Sequence, residues 1–550
     1  MSAFPPGRDW DILVIGGGIT GAGVLLEAAR RGLKALLVEQ RDFAWGTSSR
    51  SSKLVHGGLR HLASGSLRLA RDAVHEREAL LRAAPGLVEP QGFAFADHGA
   101  DLTRRLGLFS MLRVYELLAG RREGRWERAA SLRARQPQAR AAAQDAPQDG
   151  MRSETGNEMR ADAGNGAGAG AGQERDARAQ ASIRYTDAKT DDARLVLRVL
   201  DEARRHGAVA CNYVTVQSLV RDGGRVHGAM LVDERSRAET AVRARVVVNA
   251  TGAWSSLFGG AEPEAGPRLR PLRGSQIVLP AGRLPLAQAV SLLHPADGRP
   301  VFAFPWEGVI LVGTTDVERG DAPSEPRITR AEFDYLMAGL RAQFPQAGLR
   351  EEDVIATFAG ARPVLDGGAG APAPQKREHL VWSEPGLVSV AGGKLTTFRT
   401  IALDVLRHAA QQVPGWQLRA ERGPVFARVA VPARHDLAPA VLRRLAGRHG
   451  PHAKALLQAA RAGELECIPG TQTLWAELRW AARAEEVFRL DDLLLRRTRL
   501  GIQLADGGAG QMARIRAICQ LELGWDDERW VREERRYLID WQRQHGIPAA

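Results

Sequence analysis

The run Asp11-Ile12-Leu13-Val14-Ile15-Gly16-Gly17-Gly18-Ile19-Thr20-Gly21-Ala22-Gly23, with Glu39 behind it, constrains this chain more than any other feature. Four apolar residues after Asp11 predict a buried parallel strand, and Gly16-x-Gly18-x-x-Gly21 then opens a helix. The first glycine permits the tight turn, the second lets the backbone approach a pyrophosphate, and the third allows close helix–strand packing. The helix N-terminus adds N–H donors and the positive end of its dipole. A second apolar run, Ala35-Leu36-Leu37-Val38, ends at Glu39, whose carboxylate is placed to accept both ribose hydroxyls of an adenosine. In a chain with 59 glycines the triplet alone says little. Strand, triplet, helix and acidic strand end in one βαβ unit predict an adenine dinucleotide, with NAD and FAD equally good occupants at this point.

At 550 residues the chain exceeds one ordinary core, so two or three domains are expected. A hydrophobic content of 44% with 25% charged residues is that of a globular protein. Cys211, Cys467 and Cys519 are scattered, which excludes a disulfide framework and a cysteine metal site and suits a reducing compartment. Met1 to Trp10 lack the basic and apolar regions of a secretory signal. No apolar run is long enough to span a bilayer, so any membrane role is peripheral. The net charge of +12 admits two readings. It could attract phosphate groups on a substrate or an anionic membrane, or arginine could simply prevail across the surface. No nucleic-acid partner is expected, because no binding motif and no basic stripe interleaved with aromatics occurs.

From residue 136 to 181 alanine, glycine, glutamine, aspartate and arginine dominate, and Gly164 to Gly172 is low-complexity. Such a segment buries too little apolar surface to offset its ordering entropy, so a disordered surface insertion is expected. Order returns at Ile183-Arg184-Tyr185, with a helix from Asp191 to His206. Val209–Val214 and Arg245–Ala250 read as strands, the latter running into Thr251-Gly252-Ala253-Trp254. A buried strand ending in Ala-Thr-Gly recurs in flavoproteins, where the glycine lets the backbone pass close to the cofactor. Gln276–Leu279, Val301–Phe304 and Val309–Val312 predict an antiparallel sheet inserted between pieces of the cofactor domain. Beyond Leu418 the spacing turns helical, as in Leu474, Leu478, Ala481 and Ala482, and predicts a separate α-helical C-terminal domain.

Two more loops carry chemistry. Thr47-Ser48-Ser49-Arg50-Ser51-Ser52-Lys53-Leu54-Val55-His56-Gly57-Gly58-Leu59-Arg60 has the density of hydroxyls and backbone N–H groups that wraps a phosphate or a flavin ring. In Val388-Ser389-Val390-Ala391-Gly392-Gly393-Lys394-Leu395-Thr396-Thr397 a strand meets a glycine pair, then a helix whose N-terminus would stabilise negative charge on a reduced isoalloxazine. Gly360-Ala361-Arg362-Pro363 sets an arginine at a strand end, so Arg60, Arg362 and Lys394 all border predicted cofactor loops.

These blocks make the chain similar to the FAD-dependent respiratory glycerol-3-phosphate dehydrogenases. The resemblance also takes in Asp191-Asp192-Ala193-Arg194-Leu195, Arg273-Gly274-Ser275, Gly313-Thr314-Thr315-Asp316-Val317-Glu318 and Arg496-Arg497-Thr498-Arg499. It covers nearly the whole chain except 136–181. It implies an α/β fold of the glutathione-reductase or amino-acid-oxidase type, with a discontinuous Rossmann-like FAD-binding domain over 1–95, 182–262 and 360–415. A substrate or cap domain would comprise 96–135 and 263–359, and the helical domain 425–550. FAD contacts are implied at Gly16, Gly17, Gly18, Gly21, Glu39, Thr47, Ser48, Ser49, Ser52, Lys53, Gly252, Gly392, Gly393, Lys394, Leu395, Thr396 and Thr397. Substrate contacts are implied at His56, Arg60, Arg362 and Lys394. Family members carry a tyrosine directly after the Gly-Gly-Leu-Arg arginine; this chain has His61, which keeps a hydrogen-bond donor and loses the tyrosine's reach.

Oxidising a secondary alcohol requires the hydroxyl proton to leave as hydride moves to flavin N5. That task favours His56 as base over the permanently charged arginines, with Arg362 and Lys394 completing the catalytic set. Arg60 and Arg362 suit a phosphate clamp, and Lys394 either binds phosphate or polarises the developing alkoxide. His75, His98 and His206 read as structural. The resemblance further implies electron transfer to a membrane quinone and peripheral attachment to the inner face of the cell membrane, and leaves a homodimer open. Asp101 to Arg122 is a candidate attachment helix, with Leu102, Leu106, Phe109 and Leu112 on one face, although such spacing also describes core. The rival readings are an amino-acid-oxidase-like flavoenzyme, an oxygen-using glycerol-3-phosphate oxidase, and a flavin-binding sensor without turnover.

Overall fold

A computed structural model describes residues 9–59, 62, 65–95, 111–115, 117–119, 126–128, 181–258, 269–318, 325–365, 379–416 and 423–549. Two sheets organise it. The strand Trp10–Ile15 lies at the centre of the first, parallel to Ala35–Glu39 on one side and Glu239–Asn249 on the other. Val209–Asn212 and Leu387–Ala391 extend the parallel run, and Leu380–Glu384 closes one edge antiparallel. Both faces are covered, which is why these strands read as unbroken apolar runs. Helices Ile19–Arg30, Asp192–Arg205 and Phe398–Gln411 bury Val24, Leu25, Leu195, Val199, Ile401 and Val405 against one face. On the other, Leu13, Leu36 and Val247 meet Val226 and Leu231 of an antiparallel extension.

The second sheet is mixed. Leu269–Pro280 pairs with Ala356–Leu365 from Leu269↔Leu365 to Val278↔Ala356, and Val88–Phe95 pairs antiparallel with Ala181–Thr190. The helix Arg330–Gln343, started by a Thr329–Glu332 capping box, packs Phe333, Leu336 and Leu340 on one face. On the opposite face Phe304, Trp306 and Leu311 share a core with Trp475, Leu478, Leu493 and Trp530 of the C-terminal helices.

Two expectations on organisation change. Val88–Phe95, the segment from residue 182 to Thr190 and the Gly360–Pro363 segment, expected within the cofactor domain, are strands of the second sheet. Pairing with Ala289–Leu293 and Leu269–Pro280, remote in sequence, decides the membership. Ala181, placed at the end of the insertion, already begins a strand; the rest of 136–181 lies outside the described residues. The C-terminal helices form as expected and pack against the second sheet, completing its core.

Among the described residues no helix is long and apolar enough to cross a membrane. Of the candidate attachment face, Leu112 is buried in the second core, so it does not face a lipid surface. Leu102, Leu106 and Phe109 lie outside the described residues.

Candidate active site

A cavity of about 330 Å³ opens at the carboxyl ends of the parallel strands, a size ordinary for cofactor clefts. Its wall is built from Gly16, Gly18, Ile19 and Thr20, Glu39 and Gln40, the Trp45–Ser48 loop, the Ala250–Trp254 turn and Gly392–Leu395. Gly16 has φ +111°, and a Cβ there would meet Ala250 O at 2.7 Å. A Cβ on Gly21 would lie 1.9 Å from Gly16 O, so the helix can approach the turn only without a side chain. The Ser48 Oγ accepts the Ile19 N–H at 2.9 Å, capping from a distance a helix that lacks a local cap.

The Glu39 carboxylate accepts N–H bonds from Gly17 at 2.7 Å and Arg41 at 2.9 Å, one on each oxygen. Burial pushes its carboxyl up against these two stabilising bonds. Each oxygen keeps a lone pair for a hydroxyl in the cavity.

Of the sequence-predicted cofactor residues, Gly16, Gly18, Glu39, Thr47, Ser48, Gly252, Gly392, Gly393, Lys394 and Leu395 line this cavity. Gly17, Gly21, Ser49, Ser52, Lys53, Thr396 and Thr397 are not on its wall. Lys53 departs furthest from expectation. It is fully buried, and its Nζ donates to Ser49 O at 3.0 Å and sits 3.1 Å from both Asp192 oxygens. Burial pulls its ammonium down to about 8. Its φ of +55° turns the side chain inward, so Lys53 holds the loop instead of facing the cleft.

That loop is clamped by two of the recognised motifs. Asp192 also accepts from Ser51 N and Oγ, at 3.0 and 2.7 Å, while Asp191 caps its helix and pairs with Arg448 at 2.8 Å. From the C-terminal helices, Arg499 donates to Ser49 O at 2.8 Å, and Arg496 and Arg497 converge on Asp42 at 2.5 and 2.6 Å. The motif at 496–499 therefore fixes the segment that carries Trp45 to Ser48.

Arg362 precedes the wall residue Pro363. Its Nη2 donates to Thr314 Oγ1 at 2.9 Å, and its Nη1 pairs with Asp316. A Cβ on Gly274 would lie 2.5 Å from Nη2, which gives the Arg273-Gly274-Ser275 motif a steric reason. Arg273 and Ser275, together with Thr315, instead engage Glu332 at 2.7 to 2.9 Å. His56 follows the strand Leu54–Val55, with its ring 37% exposed and Nδ1 3.7 Å from Asp187 Oδ2. Arg60 and His61 lie outside the described residues.

Sequence reasoning missed Gln40, Trp45, Val214 and Val216 on the cavity wall. Trp45 and Trp254 pair at 5.9 Å, with Arg41 stacked over Trp45 at 4.2 Å. Only the apolar alternation of Val214 and Val216 offered a signal.

A family described as FAD dependent oxidoreductase matches residues 11–399, and one described as the C-terminal domain of alpha-glycerophosphate oxidase matches 409–530. The chain is 33% identical to glycerol-3-phosphate dehydrogenase 2 of Mycobacterium tuberculosis, over 96% of this chain and 88% of the relative. It is 29% identical to the aerobic glycerol-3-phosphate dehydrogenase of Staphylococcus aureus, over 89% and 86% of the two chains. The chain belongs to the FAD-dependent glycerol-3-phosphate dehydrogenase/oxidase family. Its fold matches the Bacillus halodurans glycerol-3-phosphate dehydrogenase complexed with FAD, with a TM-score of 0.67 and 25% identity over 98% and 95% of the two chains. It also matches an L-alpha-glycerophosphate oxidase from Mycoplasma pneumoniae with FAD bound, at a TM-score of 0.54 and 15% identity over 77% and 99%.

The cavity of this family member fits FAD. A carboxylate oriented for hydroxyls stands on the same wall as a glycine turn open to phosphate and the consecutive left-handed Gly392 and Gly393. Replacing Gly21 by alanine forces the helix off the turn, so the purified variant is expected to lack the visible flavin absorbance of the wild type. Retention of full flavin content would show that the turn tolerates the displacement.

Proposed function

We propose that this enzyme oxidises sn-glycerol 3-phosphate to dihydroxyacetone phosphate and passes the electrons to a membrane quinone while attached peripherally to the inner face of the cell membrane. The observation that carries the reading is similarity, over nearly the full length, to enzymes named for that substrate. Bound FAD supplies the hydride acceptor. His56 takes the hydroxyl proton, because an imidazole with one nitrogen turned to Asp187 has the other left to accept. Lys394, which lines the cavity, serves either to bind the phosphate or to polarise the developing alkoxide. Arg60 and Arg362 bind the phosphate, with Asp316 orienting the Arg362 guanidinium.

Anaerobic mixing with glycerol 3-phosphate is expected to bleach the oxidised flavin band; an unchanged spectrum would remove the substrate assignment. An oxygen-using oxidase is the second reading, favoured by the family description of the C-terminal domain. The reduced enzyme separates the two. Rapid reoxidation by a soluble quinone with little hydrogen peroxide supports the dehydrogenase, and stoichiometric peroxide in air supports the oxidase.

A further inference from the structure

The base proposed above has a buried partner that no recognised motif contains. Leu54–Val55 pairs antiparallel with Ala181–Thr190, with Val55 opposite Ala188, and this register brings Asp187 beside His56. Asp187 is 2% exposed, a position where an unpaired carboxylate is costly. Its two oxygens are used differently. Oδ1 accepts from Gly57 N at 2.9 Å, Arg77 Nη1 at 2.7 Å and Tyr115 Oη at 2.8 Å. Oδ2 faces His56 Nδ1 at 3.7 Å.

The oxygen away from His56 is therefore saturated and the carboxylate cannot rotate without losing three donors. Arg77 and Tyr115 are each 1% exposed and joined by a 2.9 Å bond from Nη1 to Oη. Glu78 occupies the far side of the Arg77 guanidinium at 2.9 and 3.1 Å. A Cβ on Gly57 would lie 2.2 Å from Tyr115 Oη and 2.8 Å from Arg77 Nη1, so the glycine after His56 is what lets the loop close on this group. Burial pushes the Asp187 carboxyl up, but the His56 and Arg77 interactions outweigh it and hold it below its ordinary range. It is ionised at neutral pH.

We infer that Asp187 is a positioning residue for His56, holding the tautomer with the proton on Nδ1 so that Nε2 presents its lone pair to the substrate hydroxyl, while Arg77, Tyr115 and the Gly57 amide lock the carboxylate. The inference rests on His56 being the base. In the step it serves, the carbinol C–H pair of electrons leaves as hydride to FAD and the O–H proton moves to Nε2. The C=O bond forms, and the imidazolium is balanced by the Asp187 carboxylate across the gap at Nδ1. The proton then departs from Nε2 to solvent, which the exposure of His56 permits. At 3.7 Å the pair is longer than a hydrogen bond, so it must close to hydrogen-bond distance in the substrate complex.

Asp187→Asn is the direct test, read by anaerobic flavin reduction across pH. The expected result is a fall of about 100-fold in the limiting rate, little change in KM, and an acid limb displaced to lower pH, since the imidazolium loses its counter-charge. Arg77, Tyr115, Glu78 and Tyr185 are the other titratable groups around Asp187, and Arg77→Gln/Asp187→Asn controls for the guanidinium left unpaired. Should both variants fail to accumulate as flavin-bound protein, Tyr115→Phe removes one donor without removing charge and reads the same limb. A wild-type rate with an unmoved limb in a folded variant would overturn the inference. If His56→Ala keeps the wild-type limb, the base assignment fails instead; if the wild type is not bleached by glycerol 3-phosphate, the substrate assignment fails.

Discussion

Asp42→Ala is expected to lower the stability of the folded protein by about 3–5 kcal/mol, the range for breaking a buried ion pair by deleting one partner. Asp42 is fully buried and accepts from Arg496 Nε at 2.5 Å, Arg497 Nη1 and Nη2 at 2.6 and 2.8 Å, and Asn212 Nδ2 at 2.9 Å. Without it Arg496 keeps Asp491 and Asp492, but the guanidinium of Arg497, also fully buried, is left with a backbone carbonyl at 2.8 Å. The loss should appear as a lowered urea midpoint together with weaker flavin retention, because the clamped segment carries the cavity wall from Trp45 to Ser48. Arg483→Gln is the contrast: its pair with Glu522 is 45% exposed on the arginine side and should cost no more than about 1 kcal/mol. A midpoint for Asp42→Ala as mild as that control would mean that the C-terminal helices do not hold the loop.

The same group predicts a pH dependence. Burial pushes the Asp42 carboxyl up, while Arg497 and Arg496 outweigh burial and bring it below its usual 3.8. A carboxyl depressed on folding contributes fully above its unfolded value and loses that contribution as pH falls through the folded one. The clamp should thus persist at neutral pH and weaken only in acid below about pH 4. Acid release of flavin that precedes loss of helical signal is the expected order.

How much was legible in the sequence follows from where the information lies. The βαβ unit was readable because strand, turn, helix and Glu39 are local, and their spacing carries the geometry. The strands ending at Asn249 and Ala391 were readable for the same reason, as apolar runs ending in glycine turns. Sheet membership was not. Nothing within Ala181–Thr190 names Val88–Phe95 as its partner, and alternation reports only that a strand has two faces. Leu112 shows the same limit: helical spacing defines a face but not whether core or lipid covers it.

Within the site, the resemblance implied that Lys53 contacts FAD. Its fate is set by a left-handed backbone and by Asp192, 139 positions away. Asp42 and Asp187 carried no signal, since a single acidic residue acquires meaning only from the arginines that the fold brings to it. The recognised motifs gained mechanisms. Arg496 to Arg499 and Asp191–Asp192 fasten the cofactor loop, and Gly274 makes room for Arg362.

His56→Ala should have the largest effect on turnover, a fall in kcat of about 10²–10⁴-fold, the range for removing a general base. The ring is 37% exposed and absent from the cavity wall, so folding and flavin content should survive the truncation. Asp187 Oδ2 and the Phe302 ring lose a neighbour, but the carboxylate keeps its three donors on Oδ1. The effect should therefore fall on the chemical step and leave KM for glycerol 3-phosphate within a few-fold of wild type. Such a pattern marks an interaction made in the transition state more than in the ground state. The deuterium isotope effect at the carbinol carbon should rise in the variant, because slow chemistry would then be fully exposed. An increase in KM with unchanged kcat would instead make His56 a substrate-binding residue. Proton removal would then pass to Lys394, the other titratable side chain of the proposed set and the one on the cavity wall.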